Sequence, residues 1–261
     1  MILGLFIIAA WLVIAVLVPV VAPYEPLAQD VIIRKQDPDG GHWFGTDELG
    51  RDVFTRVLYG ARITIPAGVA VVVVGSAIGT LIGSTAGYLG GFWDEIMMRV
   101  TELFMAFPAI ILALAITAAL GPAIRNAVIA LVVVSWPNYA RLVRGLVLEV
   151  KNKEFVEAVR SVGGSGPYIL FRTVLPNSIA PTIVYMTLDI GNAILAFAAL
   201  SFIGLGPDPS SPEWGRMVSI GINNFDEWWM WLFPGFAIAS LVMALNFIGD
   251  GLRDIADPRT R

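Results

Sequence analysis

Apolar residues run along this chain in blocks of roughly twenty, the length an α-helix needs to cross the hydrocarbon core of a bilayer. Six such blocks stand out: Ile2 to Val21, Ile63 to Ala86, Leu103 to Leu120, Ala123 to Val147, Ile179 to Leu205 and Trp229 to Ile248. Polar residues gather between them, chiefly at 22–62, 148–178 and 206–228. The pattern predicts an all-α membrane protein with six transmembrane helices and no soluble core. The first block has no basic lead and a long apolar run, so it reads as a retained helix rather than a cleaved signal. The sequence begins abruptly at this helix, which leaves a missing start open.

The insert between the fourth and fifth blocks has a different period. Over residues 151–162, Phe155, Val156, Val159 and Val162 fall on one stripe, opposite Lys151, Lys153, Glu154, Glu157 and Arg160. That is an amphipathic helix. Gly163 and Gly164 close it, because glycine accepts the left-handed conformation common at helix ends. Ser165 caps a second short helix with Pro167 in its first turn, which Pro176 is expected to end. A helix-turn-helix lying across the membrane surface is the expected product.

The polar segment 41–62 predicts a second surface helix, capped by Thr46 with Asp47 and Glu48 in its first turn. Asp47 with Arg51 and Asp52 with Arg56 are spaced as i,i+4 ion pairs, worth about 0.3–0.5 kcal/mol each if exposed. Within the second block, Gly75, Gly79, Gly83 and Gly87 line one helix face with bare backbone, which lets a neighbouring helix approach closely. Packing within the subunit is the preferred reading of that face over a subunit interface.

Composition changes little after this. The chain is 57% hydrophobic and 15% charged over 261 residues, with mean hydropathy +0.75, too apolar for a soluble domain of that size. Cysteine is absent, so neither disulfides nor thiolate metal sites contribute. His42 is the one histidine and reads as a solvated or hydrogen-bonded surface group; no metal site is expected. Net charge of −4 argues against a nucleic-acid partner, and no Gly-x-x-x-x-Gly-Lys-Ser/Thr loop is present to cradle ATP. Ten of the 17 Lys and Arg residues fall on the side holding both termini and the 148–177 loop, which makes that side cytoplasmic by the positive-inside rule. Trp228, Trp229 and Trp231 suit the interface where the sixth helix enters.

Inside the membrane, Asp189 is the clearest ionisable group, about 15 Å of helix rise from Ile179. A carboxylate there costs about 2.5–3.5 kcal/mol on insertion scales, so it faces water, a partner or the bundle interior. Asn192 shares its face. Pathway lining and a structural hydrogen bond are equally open readings.

Glu157-Ala158-Val159, then Gly163, then Leu175-Pro176 resemble the loop of ABC importer permeases, which reads Glu-Ala-Ala, three residues, Gly, nine residues, Ile, one residue, Leu-Pro. Val159 and Thr173 depart mildly from that pattern. Phe44-Gly45-Thr46-Asp47-Glu48-Leu49-Gly50-Arg51-Asp52, with Ala22-Pro23-Tyr24-Glu25-Pro26, Ala106-Phe107-Pro108, Tyr139 to Gly145, Leu200 to Gly206, Glu213-Trp214-Gly215 and Asp257-Pro258-Arg259, are similar to the C-type permease subunit of dipeptide and oligopeptide ABC importers. The resemblance covers essentially the whole chain. It implies a type I importer transmembrane domain in the inner membrane of a prokaryote, with both termini cytoplasmic, itself non-catalytic and without cofactor. Implied partners are a second permease, two ATP-binding subunits that hold ATP and Mg, an extracytoplasmic substrate-binding protein and membrane lipid. The 148–177 loop would be the coupling loop, with Glu157, Ala158, Val159, Gly163, Leu175 and Pro176 engaging an ATPase, and Gly45, Thr46, Asp47, Gly50, Arg51 and Asp52 would form the extracytoplasmic motif.

Residues 1–62 are then the first helix with its outer loop, 63–252 the core permease and 253–261 a cytoplasmic tail. Asp189, Asn192 and Phe197 are the pathway-lining candidates. Relatives often carry glutamate at the position of Phe197, so here that position either makes the pathway more apolar or packs. Di- or oligopeptides are the expected cargo; nickel chelates and oligosaccharides are the alternatives. An ATP-independent transporter would call for more buried ionisable groups or an inverted repeat, and a membrane enzyme for convergent catalytic groups. Neither pattern is evident.

Overall fold

The computed structural model describes residues 1–256; the Asp257-Pro258-Arg259 motif, and with it most of the expected tail, lies outside the described residues. The described chain is helical, with one isolated bridge between Thr46 and Asp52. Five uninterrupted helices are long and apolar enough to cross a membrane: α1 (Ile2–Val21), α2 (Val53–Leu89), α5 (Ile124–Val150), α9 (Ala180–Phe202) and α11 (Trp229–Ala256).

The expected third span is broken. α3 (Gly91–Met105) and α4 (Ala109–Leu120) meet at 84°, and counting the pair as one span gives six. Pro108 explains the break, since it lacks an N–H and its ring disfavours helical backbone in the residue before it. The pair still runs antiparallel to α5. Asp94 of α3 meets Arg144, Phe104 meets Trp136 edge-on at 5.4 Å, and Asn126 donates to the Leu120 carbonyl at 2.9 Å. Gly90 and Gly91, with φ of 67° and 56°, allow the reversal from α2 into α3.

α2 and α5 form the centre of the subunit. A Cβ on Gly79 would press on the Trp136 carbonyl and the Ala140 amide, one on Gly83 on the Ala140 backbone, and one on Gly87 on the Arg144 carbonyl at 3.0 Å. The glycine face is therefore filled by α5 within this chain, as the packing reading expected. Around the contact, Val71, Val72, Leu131, Tyr139, Phe197 and Leu200 make one buried cluster. A second cluster, at the N-terminal end of α2, joins Val53 and Val57 to Trp214, Met217, Trp229 and Leu241. Here α10 (Trp214–Ile222) folds back between α9 and α11, an element the apolar pattern did not predict. Its signal was Glu213, whose carboxylate accepts from the Gly215 and Arg216 amides at 2.9 and 2.8 Å as an N-cap.

α1 lies on the outside, its Trp11 indole donating to Ser240 of α11 at 3.1 Å. Phe6, Val16 and Val20 remain exposed there, as expected of a lipid-facing helix.

The 41–62 segment differs from the sequence expectation. Thr46 is not a helix cap. The helix begins at Val53, capped by the Asp52 carboxylate accepting from the Thr55 amide at 2.7 Å, and runs without interruption into the membrane. Residues 45–51 instead form a closed loop, because their side chains are taken up by tertiary partners.

Candidate functional site

Three places carry the residues singled out by sequence. The first is the insert between α5 and α9. α6 (Glu154–Ser161) forms where expected, and Gly163 turns the chain at φ 89°. Gly164 then packs against Val159 and Ile169, and α7 (Gly166–Tyr168) starts with Pro167 in its first turn. Pro176 does not end this second segment. A π-helical stretch, Ile169–Val174, passes into α8 (Leu175–Ser178) and almost directly into α9. Wider i→i+5 turns relieve the clash that the proline ring would make with the carbonyl four residues back, so the chain keeps its helical path.

Only half of the predicted apolar stripe is used inside the chain. Val156 is fully buried and Val159 packs beside it, in a cluster with Val143, Val147, Ile169 and Val174 that fixes the insert to the end of α5. Leu175 packs against the same cluster, while Pro176 is exposed. Phe155, Val162, Tyr168 and Phe171 are exposed, as are Glu157, Ala158 and Arg160. The insert is thus a rigidly seated element with an uncovered apolar and charged outer side.

The second place is the loop between α1 and α2. The Asp47 carboxylate accepts from Arg51 Nε at 2.6 Å and from the Leu49 and Arg51 amides at 2.9 and 3.0 Å, with Arg56 Nε at 3.5 Å. Arg56 does not pair with Asp52 as its spacing implied. It donates instead to the carbonyls of Pro26, Ser210 and Ser211 at 3.0–3.2 Å, tying the 22–52 loop to the loop before α10. Both arginines are 1% exposed, which overturns the expectation of exposed pairs. Asp52 Oδ1 lies 2.9 Å from His42 Nδ1, the hydrogen-bonded role expected of that histidine. Thr46 donates to the Ile33 carbonyl, and its own carbonyl accepts from the Trp229 indole at 3.0 Å. Trp229 is therefore buried within the chain. Gly45 and Gly50 both have positive φ, and a side chain on either would strike the Gln36 carbonyl or the Asp30 backbone.

The third place lies inside the membrane. Asp189 and Asn192 of α9 line a half-open cavity of about 220 Å³ with Ser135 and Asn138 of α5, Ala109 and Ile110 of α4 and Val71 of α2. Tyr139, fully buried, donates to Asp189 Oδ2 at 2.6 Å. Tyr185 packs edge-on against the Tyr139 ring at 5.2 Å. Asp189 thus accepts a structural hydrogen bond and also borders open space. Phe197 does not reach the cavity; it is fully buried in the α2–α5–α9 core, the packing alternative of its sequence reading. Sequence reasoning missed Ser135, Asn138 and Tyr139. Their signal was three polar groups within five residues, directly after the apolar run 127–134 of the same helix.

Residues 79–261 match the family of binding-protein-dependent transport system inner membrane components. The chain belongs to that family. It is 43% identical over its whole length to a dipeptide transport system permease protein of Alkalihalophilus pseudofirmus, covering 86% of that relative. It is equally identical, over 97% of its length and 85% of the relative, to a probable D,D-dipeptide transport system permease protein of Escherichia coli. A glutathione transport system permease protein of the same species matches at 43% over 96% of this chain and 83% of the relative. Among solved structures, the inward-facing MetNI methionine ABC transporter is similar in fold, with TM-score 0.56 and 19% identity over 74% of this chain and 94% of the other. Membership of the inner membrane component family accounts for the apolar helices. Among the described residues no group of His, Cys, Asp and Glu could hold a metal ion.

Proposed function

We propose that this chain is the transmembrane permease subunit of an ATP-driven, binding-protein-dependent importer of di- or oligopeptides. It forms half of the translocation pathway, beside a second permease, and two ATPase subunits supply the energy. Both termini and the insert face the cytoplasm, and the outer loop with α10 faces the substrate-binding protein. The observation that carries this reading is the insert itself. Its inner face is packed on α5, with Tyr88 of α2 alongside, through Val156, Ile169 and Val174, while Phe155, Val162, Glu157 and Arg160 are left for a partner. A seated helix with an unpartnered outer side can pass a push from an ATPase into two membrane helices as one body. Peptide cargo follows from the full-length relatives, whose names specify dipeptides, D,D-dipeptides and glutathione.

The test is to purify the tagged chain in mild detergent with whatever it binds, reconstitute the assembly and measure ATP hydrolysis and dipeptide uptake. The expected result is recovery of a second permease and ATPases, with hydrolysis stimulated by the loaded binding protein. An intact preparation that contains no ATPase and transports without ATP would overturn the reading.

A further inference from the structure

We propose that Asp189, with Asn192, Asn138 and Ser135, is a binding point within the permease for the N-terminal ammonium group of a short peptide. The proposal rests on the peptide-importer reading and adds a recognition step inside the membrane. The cavity of about 220 Å³ is far above the roughly 10–15 Å³ that one water requires, so it admits a ligand head group. Its polar lining is rich in acceptors. Asp189 Oδ2 already accepts the Tyr139 hydrogen bond, but a carboxylate offers about four lone-pair sites and sites remain for an ammonium. Ser135 Oγ donates to the Val132 carbonyl at 3.2 Å, which leaves its lone pairs free. The amides of Asn138 and Asn192 each bring a further carbonyl oxygen.

The charge balance points the same way. None of the ion pairs among the described residues includes Asp189. The basic groups one and two turns along α5, Arg141 and Arg144, border a different cavity with Glu102. A membrane carboxylate with neutral hydrogen-bond partners and no cation carries an uncompensated cost, which a primary ammonium entering the cavity would remove. Tyr139, held at full burial, sets the carboxylate orientation, so the site is built before the ligand arrives.

The probe is alanyl-alanine against N-acetyl-alanyl-alanine, which lacks the ammonium. Both are titrated by saturation-transfer NMR into the two permeases with their ATPases in nanodiscs, without the binding protein. The expected result is at least tenfold tighter binding of the free amine, a preference abolished by Asp189→Asn and retained by Asp189→Glu. Asparagine keeps an oxygen for Tyr139, so the fold is spared, and a melting curve checks this. Equal binding of the two probes, binding of neither, or a preference that survives Asp189→Asn would overturn the proposal. Uptake of labelled alanyl-alanine by the complete importer separates the two readings. Its absence defeats the peptide-importer reading, whereas uptake by an assembly that shows no amine preference defeats only the ammonium site.

Discussion

The Tyr139 hydroxyl donates to Asp189 Oδ2 at 2.6 Å, joining α5 to α9 across fifty residues of sequence inside the apolar core. Each residue satisfies a polar group that the other would leave stranded. Tyr139→Phe removes the donor, and the lost charge-assisted bond is expected to cost about 1–3 kcal/mol. The unfolding midpoint in detergent should fall accordingly, and an unchanged midpoint would mean that water replaces the hydroxyl.

Asp47 holds two buried guanidinium groups at the N-terminal end of α2. Replacing it with alanine leaves both without their anion, and breaking a buried pair in this way costs about 3–5 kcal/mol. Asp47→Ala should therefore fail to accumulate, or should expose the 206–212 loop to protease as Arg56 releases the Ser210 and Ser211 carbonyls. Normal accumulation and protease resistance would count against the buried network.

The glycines of α2 and α5 give a matched contrast. Gly83→Ala would force a methyl group into the Ala140 backbone, and overpacking of this kind costs about 1–3 kcal/mol. Gly145→Ala on α5 meets nothing within 4 Å and should gain about 0.5–1 kcal/mol from helix propensity. Thermal melts of the two variants should shift in opposite directions.

Gly163 has open space around it, so its constraint is the backbone angle of 89° rather than a clash. Gly163→Val is expected to insert and fold but to misdirect α6, lowering binding-protein-stimulated ATP hydrolysis at least tenfold. Stimulation equal to that of the unaltered chain would remove Gly163 from the coupling step.

Burial pushes the Glu213 carboxyl up from the ordinary glutamate range, against the hydrogen bonds from Gly215, Arg216 and Thr64. The folded state then binds the proton more tightly than the unfolded state does. Stability is greatest below the ordinary value of about 4.3 and declines as pH rises through the raised one. Glu213→Gln should melt with a shallower decline over that window; parallel curves for the two proteins would show that Glu213 does not titrate there.

The membrane helices were legible because twenty apolar residues in a row have few other outcomes in a bilayer, where every backbone polar group must be satisfied within the segment. Local chemistry also located the turn at Gly163 and the polar face at Asp189 and Asn192. Local rules failed where distant groups compete for a side chain. Thr46 looked like a cap but its hydroxyl is drawn to Ile33, and Asp52 takes over the helix start. Arg56 had a carboxylate one turn away and instead reaches carbonyls more than 150 residues distant.

From the sequence alone came the helical class, the approximate spans, the polar insert and a membrane carboxylate, because each depends on near neighbours in the chain. Tertiary structure decided what those features face. It turned the glycine stripe of α2 toward α5, put Phe197 in the core, and opened a cavity beside Asp189 while bringing Tyr139 to it. Periodicity specifies which residues share a helix face, but the partner of that face depends on how all the helices fill space together, and that is a property of the packed whole.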